Sequence, residues 1–246
     1  MRLTMQGRLS ECVLLSYSTP SQMVATLVPP GLELRTHKGR AFWNVVVSTV
    51  DKMRPLGMPR WVGVTYHHVA YRLQVTAVTA AGEQLSGLYF LRSDVNSSLI
   101  ALTGNPLTDF RFHRSRIDIS KQHEQLAVAI ESTEQTGCAE LRVSRTPCSG
   151  LETGLFRDDE EREQILKYQP LGLAMDNRHR IRLAEVFRDE SAWQEQHVEI
   201  IDAKWGFLDA HNQGPVHLER ATRVAPLNYQ WRLGRTAIPG KAITPS

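Results

Sequence analysis

Residues 66–78 read YHHVAYRLQVTAV. Val69, Tyr71, Leu73, Val75 and Ala77 fall on one parity, and Tyr66, His68, Arg72, Gln74 and Thr76 on the other. A period of two predicts a β-strand with one apolar and one polar face. That polar face meets solvent or lines a cavity. Residues 80–84 (AAGEQ) form a hairpin turn, and residues 85–92 (LSGLYFLR) return alongside. Just upstream, residues 41–50 (AFWNVVVSTV) are β-branched and aromatic on both parities. Such a run predicts a central strand covered on both sides.

The same reading extends outward. Residues 12–17 (CVLLSY) are a buried strand, followed by Ser18, Thr19 and Pro20 and a short helix with Met23, Leu27 and Val28 on one face. Residues 97–102 are a brief helical turn ended by Gly104-Asn105-Pro106. In residues 110–120 (FRFHRSRIDIS) the apolar parity reverses, from Phe110 and Phe112 to Ile117 and Ile119. A strand with one buried face changes phase only through a bulge or bend, here expected between His113 and Arg116. Alternation at residues 126–130 and 139–143 predicts two more strands, and residues 158–168 a helix with an acidic first turn. Residues 180–186, 196–205, 218–224 and 229–235 complete the strands. About ten strands against two or three short helices predict a mainly β (α+β) protein. Many antiparallel strands must hide their edges, so a closed or nearly closed β architecture is expected, as a single domain over residues 1–246.

Composition bounds the function. At 246 residues and 41% hydrophobic the chain has ample core, and no run of about 18 apolar residues marks a membrane-spanning helix. A net charge of +3 is too small to imply nucleic acid. Only six of the 29 basic residues are lysines: Lys38, Lys52, Lys121, Lys167, Lys204 and Lys241. Arginine is the bidentate reader of carboxylates and phosphates. Cys12, Cys138 and Cys148 have no CxxC spacing, which supports neither a disulfide framework nor a metal site. The first 17 residues lack an apolar core and a cleavage signal, so an unprocessed, cytoplasmic protein is expected.

No phosphate-loop, dinucleotide, metalloprotease or nucleophile-elbow motif occurs. His67 and His68 are adjacent on a strand and face opposite sides, so they do not share a metal. The reversal in residues 110–120 gathers Arg111, His113, Arg114 and Arg116, a candidate anion-binding wall. Tyr66, His68 and Arg72 share one strand face, and Asp94 follows the returning strand. Tyr66, Arg72, Arg111, Arg114, Arg116 and Asp94 are thus candidate ligand-binding residues. His68, His113 and Lys121 are candidate catalytic groups.

Several segments also carry a family resemblance. LLSYSTPSQMVATLVPPGLEL, GRAFWNVVVSTVDKMRPLGMPR, GLYFLRSDVNSSLIAL and FRFHRSRIDIS resemble, in this order, the YqjF-like proteins over about residues 11–235. That uncharacterised bacterial group is placed in the acetoacetate-decarboxylase-like superfamily, and the resemblance implies a β-barrel-like double sheet around a cavity. Decarboxylases of the superfamily form a Schiff base on one lysine, with a second beside it. This chain has no Lys-Lys pair, and residues 103–116 contain no lysine. The expected function is binding of a small anionic, carboxylate-type molecule in an Arg/His-lined cavity, without a cofactor and without nucleic-acid or membrane partners. Homodimer formation is compatible with this reading. The alternatives are a non-catalytic binding or stress-response interaction module, and a decarboxylase or aldolase acting through Lys121. Incubation with acetoacetate and borohydride, read by mass spectrometry, is expected to leave Lys121 unmodified; a stable adduct there would restore the lyase alternative.

Overall fold

A computed structural model of the chain describes residues 2–151 and 153–240. The strands are β1 (Leu3–Pro20), β2 (Glu33–Leu34), β3 (Thr36–His37), β4 (Arg40–Pro55), β5 (Val64–Val78), β6 (Gln84–Val95), β7 (Phe112–Arg114), β8 (Arg116–Gln122), β9 (Gln125–Glu131), β10 (Ala139–Pro147), β11 (Leu171–Met175), β12 (Ile181–Arg188), β13 (Glu195–Trp205), β14 (His217–Val224) and β15 (Leu227–Ala237). The helices are α1 (Ser98–Thr108), α2 (Asp159–Leu166) and α3 (Gly206–His211). The protein is mainly β, as the alternation predicts. Among the described residues no helix is long and apolar enough to cross a membrane.

The strands β4-β5-β6-β11-β12-β15-β1 are hydrogen-bonded in that order, and β1 also pairs with β4. The sheet therefore closes on itself as a ring, without being a true barrel. A second branch, β14-β13-β10-β9-β8, leaves β1 and packs over the outside of the ring. Pairing is mostly antiparallel, but β6 runs parallel to both β11 and β7.

Strand pleat sorts the side chains. Val13, Leu15, Trp43, Val45, Val47, Val69, Tyr71 and Leu73 face the outer branch and share a core with Ile117, Leu126, Val128 and Leu141. The opposite parity, with Cys12, Leu14, Val46 and Ala70, packs inside the ring with Phe90 and Phe110. The doubly apolar β4 is covered on both sides, as expected. The polar parity of β5 is buried too: His68, Arg72 and Gln74 are all withdrawn from solvent. That face lines the ring interior.

Two irregularities set the phase. A register shift between β5 and β6 pairs Tyr71 with Arg92 but Arg72 with Phe90. Directly opposed residues share a face, so Phe90 points into the ring while Arg92 and Asp94 point outward. The reversal near residue 115 is a handover between strands. β7 pairs with β6, Ser115 donates its N–H to the Val95 carbonyl, and β8 moves on to pair with β9. The parity changes as the chain passes from one sheet branch to the other.

Other elements depart from expectation. The stretch after Pro20 forms two 3-10 turns, Ser21–Met23 and Ala25–Leu27, rather than one helix. α1 runs through Gly104-Asn105-Pro106 instead of ending there. Its last carbonyls, Pro106 O and Leu107 O, accept from the Arg182 guanidinium, which caps the helix from another strand. Gly104 is needed inside it because a Cβ would stand 2.5 Å from the Phe112 ring. β11 is too short to show a period, and it completes the ring beside β6. There Gly87 lies against β11, where a Cβ would sit 2.4 Å from the Leu171 carbonyl oxygen. Gly87→Ala is expected to cost about 1–3 kcal/mol through backbone displacement at the ring closure. Gly154→Ala, which meets nothing within 4 Å, is expected to cost less than about 0.5 kcal/mol. Urea denaturation of the two variants compares them.

Candidate functional site

The ring encloses a cavity of about 40 Å³ lined by residues of β1, β4, β5, β6, β12 and β15, together with Tyr168 and Trp193. Arg72 reaches it from the middle of β5 and is only 3% exposed. Its guanidinium donates to Asn44 Oδ1 and lies 5.4 Å from the Phe90 ring centre and 5.7 Å from that of Tyr168. Among the described residues no carboxylate comes within 4 Å of it. The other buried arginines differ: Arg92 meets Asp94 and Glu134, Arg162 meets Asp159, and Arg220 meets Glu163 and Glu195. Burial without a counter-ion disfavours the charge on Arg72.

His68 stands four residues earlier on the same face, with its ring centre 5.7 Å from Phe112 and 6.4 Å from Tyr66. Burial, reinforced by the Arg72 charge, pushes its pKa down to about 3. The imidazole is neutral at pH 7. Burial also pushes the Cys12 thiol up to about 12, so it is no thiolate nucleophile. Tyr66 and Tyr229 are likewise held protonated by burial.

Arg188, at the end of β12, closes one side of the cavity. It lies 3.4 Å from the Trp193 ring centre and is held by Glu190 at 2.9 and 3.3 Å. Four buried nitrogens on residues of this cavity have no hydrogen-bond partner: Arg72 Nε, His68 Nε2, Arg188 Nη1 and Trp231 Nε1. The Arg and Trp atoms can only donate. A pocket lined with idle donors is complementary to an acceptor-rich, negatively charged guest.

The candidates from sequence divide among four places. Tyr66, His68 and Arg72 come together in or beside the ring interior. Asp94 lies on the outer face, fully buried, accepting from Arg92 Nε and Nη2 at 2.8 and 2.9 Å and from Ser115 Oγ at 2.7 Å. It is a structural counter-ion, not a cavity group. Arg111 and His113 line a separate outer cleft of about 520 Å³, where Arg111 donates to the Tyr89 hydroxyl and His113 lies 3.6 Å from Glu134. Arg114 bonds Ser98 Oγ and the Ser115 carbonyl at the surface. Arg116 is an exposed partner of Asp118 and Glu131. The expected Arg/His wall is therefore not one surface, because the handover at Ser115 sends its members to different faces. Lys121 is 47% exposed on β8, outside the ring, and is paired with Glu11 at 2.8 Å. Among the described residues no lysine lines the ring cavity; Lys241 lies outside them.

Sequence reasoning missed Arg188, Trp193 and Trp231. Residues 229–235 read as a strand, but the sequence does not say which of its faces closes the ring. No group of three or more potential metal ligands occurs among the described residues.

This fold is that of the acetoacetate decarboxylases. The chain superposes on an acetoacetate decarboxylase from Legionella pneumophila with a TM-score of 0.61 at 8% identity, covering 97% of this chain and 88% of that one. An acetoacetate-decarboxylase-like enzyme from Sphingomonas wittichii gives 0.59 at 10% identity, covering 96% and 91%. The enduracididine biosynthesis enzyme MppR, complexed with pyruvate, gives 0.56 at 10% identity, covering 96% and 89%. Compared with the curated proteins, the sequence matches none. Residues 6–226 match the model of the DUF2071 family, described as an uncharacterized conserved protein, and the chain belongs to that family.

The depressed pKa of His68 has a thermodynamic consequence. Unfolding restores a pKa near 6.5, so the unfolded chain binds more protons below that pH. The neutral-imidazole state is fully accommodated above pH 6.5, and stability falls as the pH drops from there towards 3. Between pH 6.5 and 5 the wild type is expected to lose about 2 kcal/mol more than His68→Gln, which does not titrate. Urea midpoints at the two pH values measure the difference.

Proposed function

We propose that the protein binds a small organic anion of the carboxylate type inside the ring, with Arg72 as its counter-ion. The observation that carries this reading is a fully enclosed guanidinium without a carboxylate partner, beside three further unpartnered nitrogens. An isolated buried charge is strongly unfavourable, and an anionic guest removes the penalty while satisfying idle donors. Arg72 would hold the carboxylate, and Arg188 Nη1 and Trp231 Nε1 would complete its hydrogen bonds. An anion beside His68 would offset the Arg72 charge and raise the imidazole pKa, which makes His68 the candidate proton carrier. Support also comes from MppR, a protein of the same fold that is complexed with pyruvate.

Schiff-base chemistry is not part of this reading. It requires a neutral amine, and a guanidinium supplies none. Lys121, paired with Glu11 outside the ring, is remote in function from the interior. A cytoplasmic setting fits the three free cysteines, Cys12, Cys138 and Cys148.

Thermal melts in the presence of small carboxylates and their neutral amides test the proposal. A carboxylate at a hundredfold excess over its Kd is expected to raise Tm by about 5 °C or more. Arg72→Gln is expected to abolish the rise, and Arg114→Ala, which alters a surface residue, to retain it. Equal stabilisation by carboxylates and amides would sink the idea.

A further inference from the structure

Outside the ring interior lies an open basin of about 620 Å³ that shares Arg188 and Tyr229 with the cavity. Its cations are Arg8, Lys52, Arg54, Arg60 and Arg188, against the carboxylates of Asp51 and Asp189. Asp189 is engaged by the Ser191 N–H at 2.9 Å and hydroxyl at 2.6 Å, and Arg188 is held by Glu190. Among the described residues, no carboxylate lies within 4 Å of a charged nitrogen of Arg8, Lys52, Arg54 or Arg60. Arg54 is instead fixed by two carbonyls, Met58 O at 2.9 Å and Lys52 O at 2.8 Å. Both acceptors are uncharged carbonyls, so its charge is positioned and uncompensated.

Backbone irregularity builds this rim. Along the β1–β4 pair the register shifts between Gln6 and Arg8, and along β4–β5 between Val50 and Met53. Lys52, within the second shift, adopts a left-handed φ of 52°, and its N–H donates to Thr65 Oγ1 at 3.2 Å. Left-handed backbone is unfavourable for lysine, and bulges at a sheet rim re-aim side chains. Here they bring Arg8, Lys52 and Arg54 to one opening.

We infer that the ligand carries two anionic groups: one sits at Arg72 inside the ring and the second in the basin against Arg54 and Arg60. This deepens, and rests on, the reading of the ring interior as an anion site. A single carboxylate finds its counter-ion in Arg72. The cationic basin, which adjoins the cavity across the shared residues Arg188 and Tyr229, has a use for a second charge at the far end of the same molecule.

Isothermal titration of the full chain with linear dicarboxylates, from succinate to pimelate, and with their monomethyl esters separates the two claims. Each pair has the same chain and differs by one charge. At low ionic strength the best diacid is expected to bind at least about fivefold tighter than its half ester, the scale of exposed ion pairs. That ratio is expected to shrink in 0.5 M salt and to approach one in Arg54→Gln/Arg60→Gln. Diacids and half esters binding the wild type equally would overturn the two-anion inference and leave the interior site standing. A ratio that survives the double substitution would also overturn it, since the second group would then sit elsewhere. If no diacid and no half ester binds at all, the interior reading fails and this inference falls with it.

Discussion

The fold depends on the hydrogen-bonding capacity of one strand. β1 is 18 residues long, whereas strands usually run five or six. Along one edge it pairs with β4 from Met5 to Pro20. Along the other it serves two partners in succession, β15 from Leu3 to Leu9 and β14 from Val13 to Ser18. The first partnership closes the ring; the second launches the outer branch. Both edges of β1 are thereby satisfied, and the strands beside it acquire two buried faces from a single pleat.

Closure decides the electrostatics. Inside the ring, Arg72 and His68 are removed from water, and the guanidinium finds an amide and two aromatic faces but no carboxylate. On the opposite face of the same sheet, Arg92 is just as buried yet is neutralised by Asp94 and Glu134. One arginine is finished as structure and the other is left with its charge unmatched. The register shift between β5 and β6 separates them, since it turns Phe90 inward and Arg92 outward. Proteins of this fold include acetoacetate decarboxylases. The chain shares the enclosing sheet and lines its interior with guanidinium and imidazole groups.

The local pattern was legible wherever one strand carried it. Alternation in residues 66–78 put Tyr66, His68 and Arg72 on one face, because strand pleat is a property of neighbouring residues. The parity reversal after His113 marked the break at Ser115 for the same reason. Gly104-Asn105-Pro106 misled, because the group that caps α1 is Arg182 from β12, far away in sequence.

The sequence by itself determined the strand-rich class, the covered β4, the shared face on β5 and the scarcity of lysine. These depend on composition and on periods of two. Tertiary structure alone decided whether that face met water or a cavity, since burial depends on which strand closes the ring. It also parted Asp94, Arg111, His113, Arg114, Arg116 and Lys121 from Arg72, and brought Arg188 and Trp231 to it. A charge left unpaired in a dry interior is a relation among residues distant in the chain, and only closure of the sheet creates it.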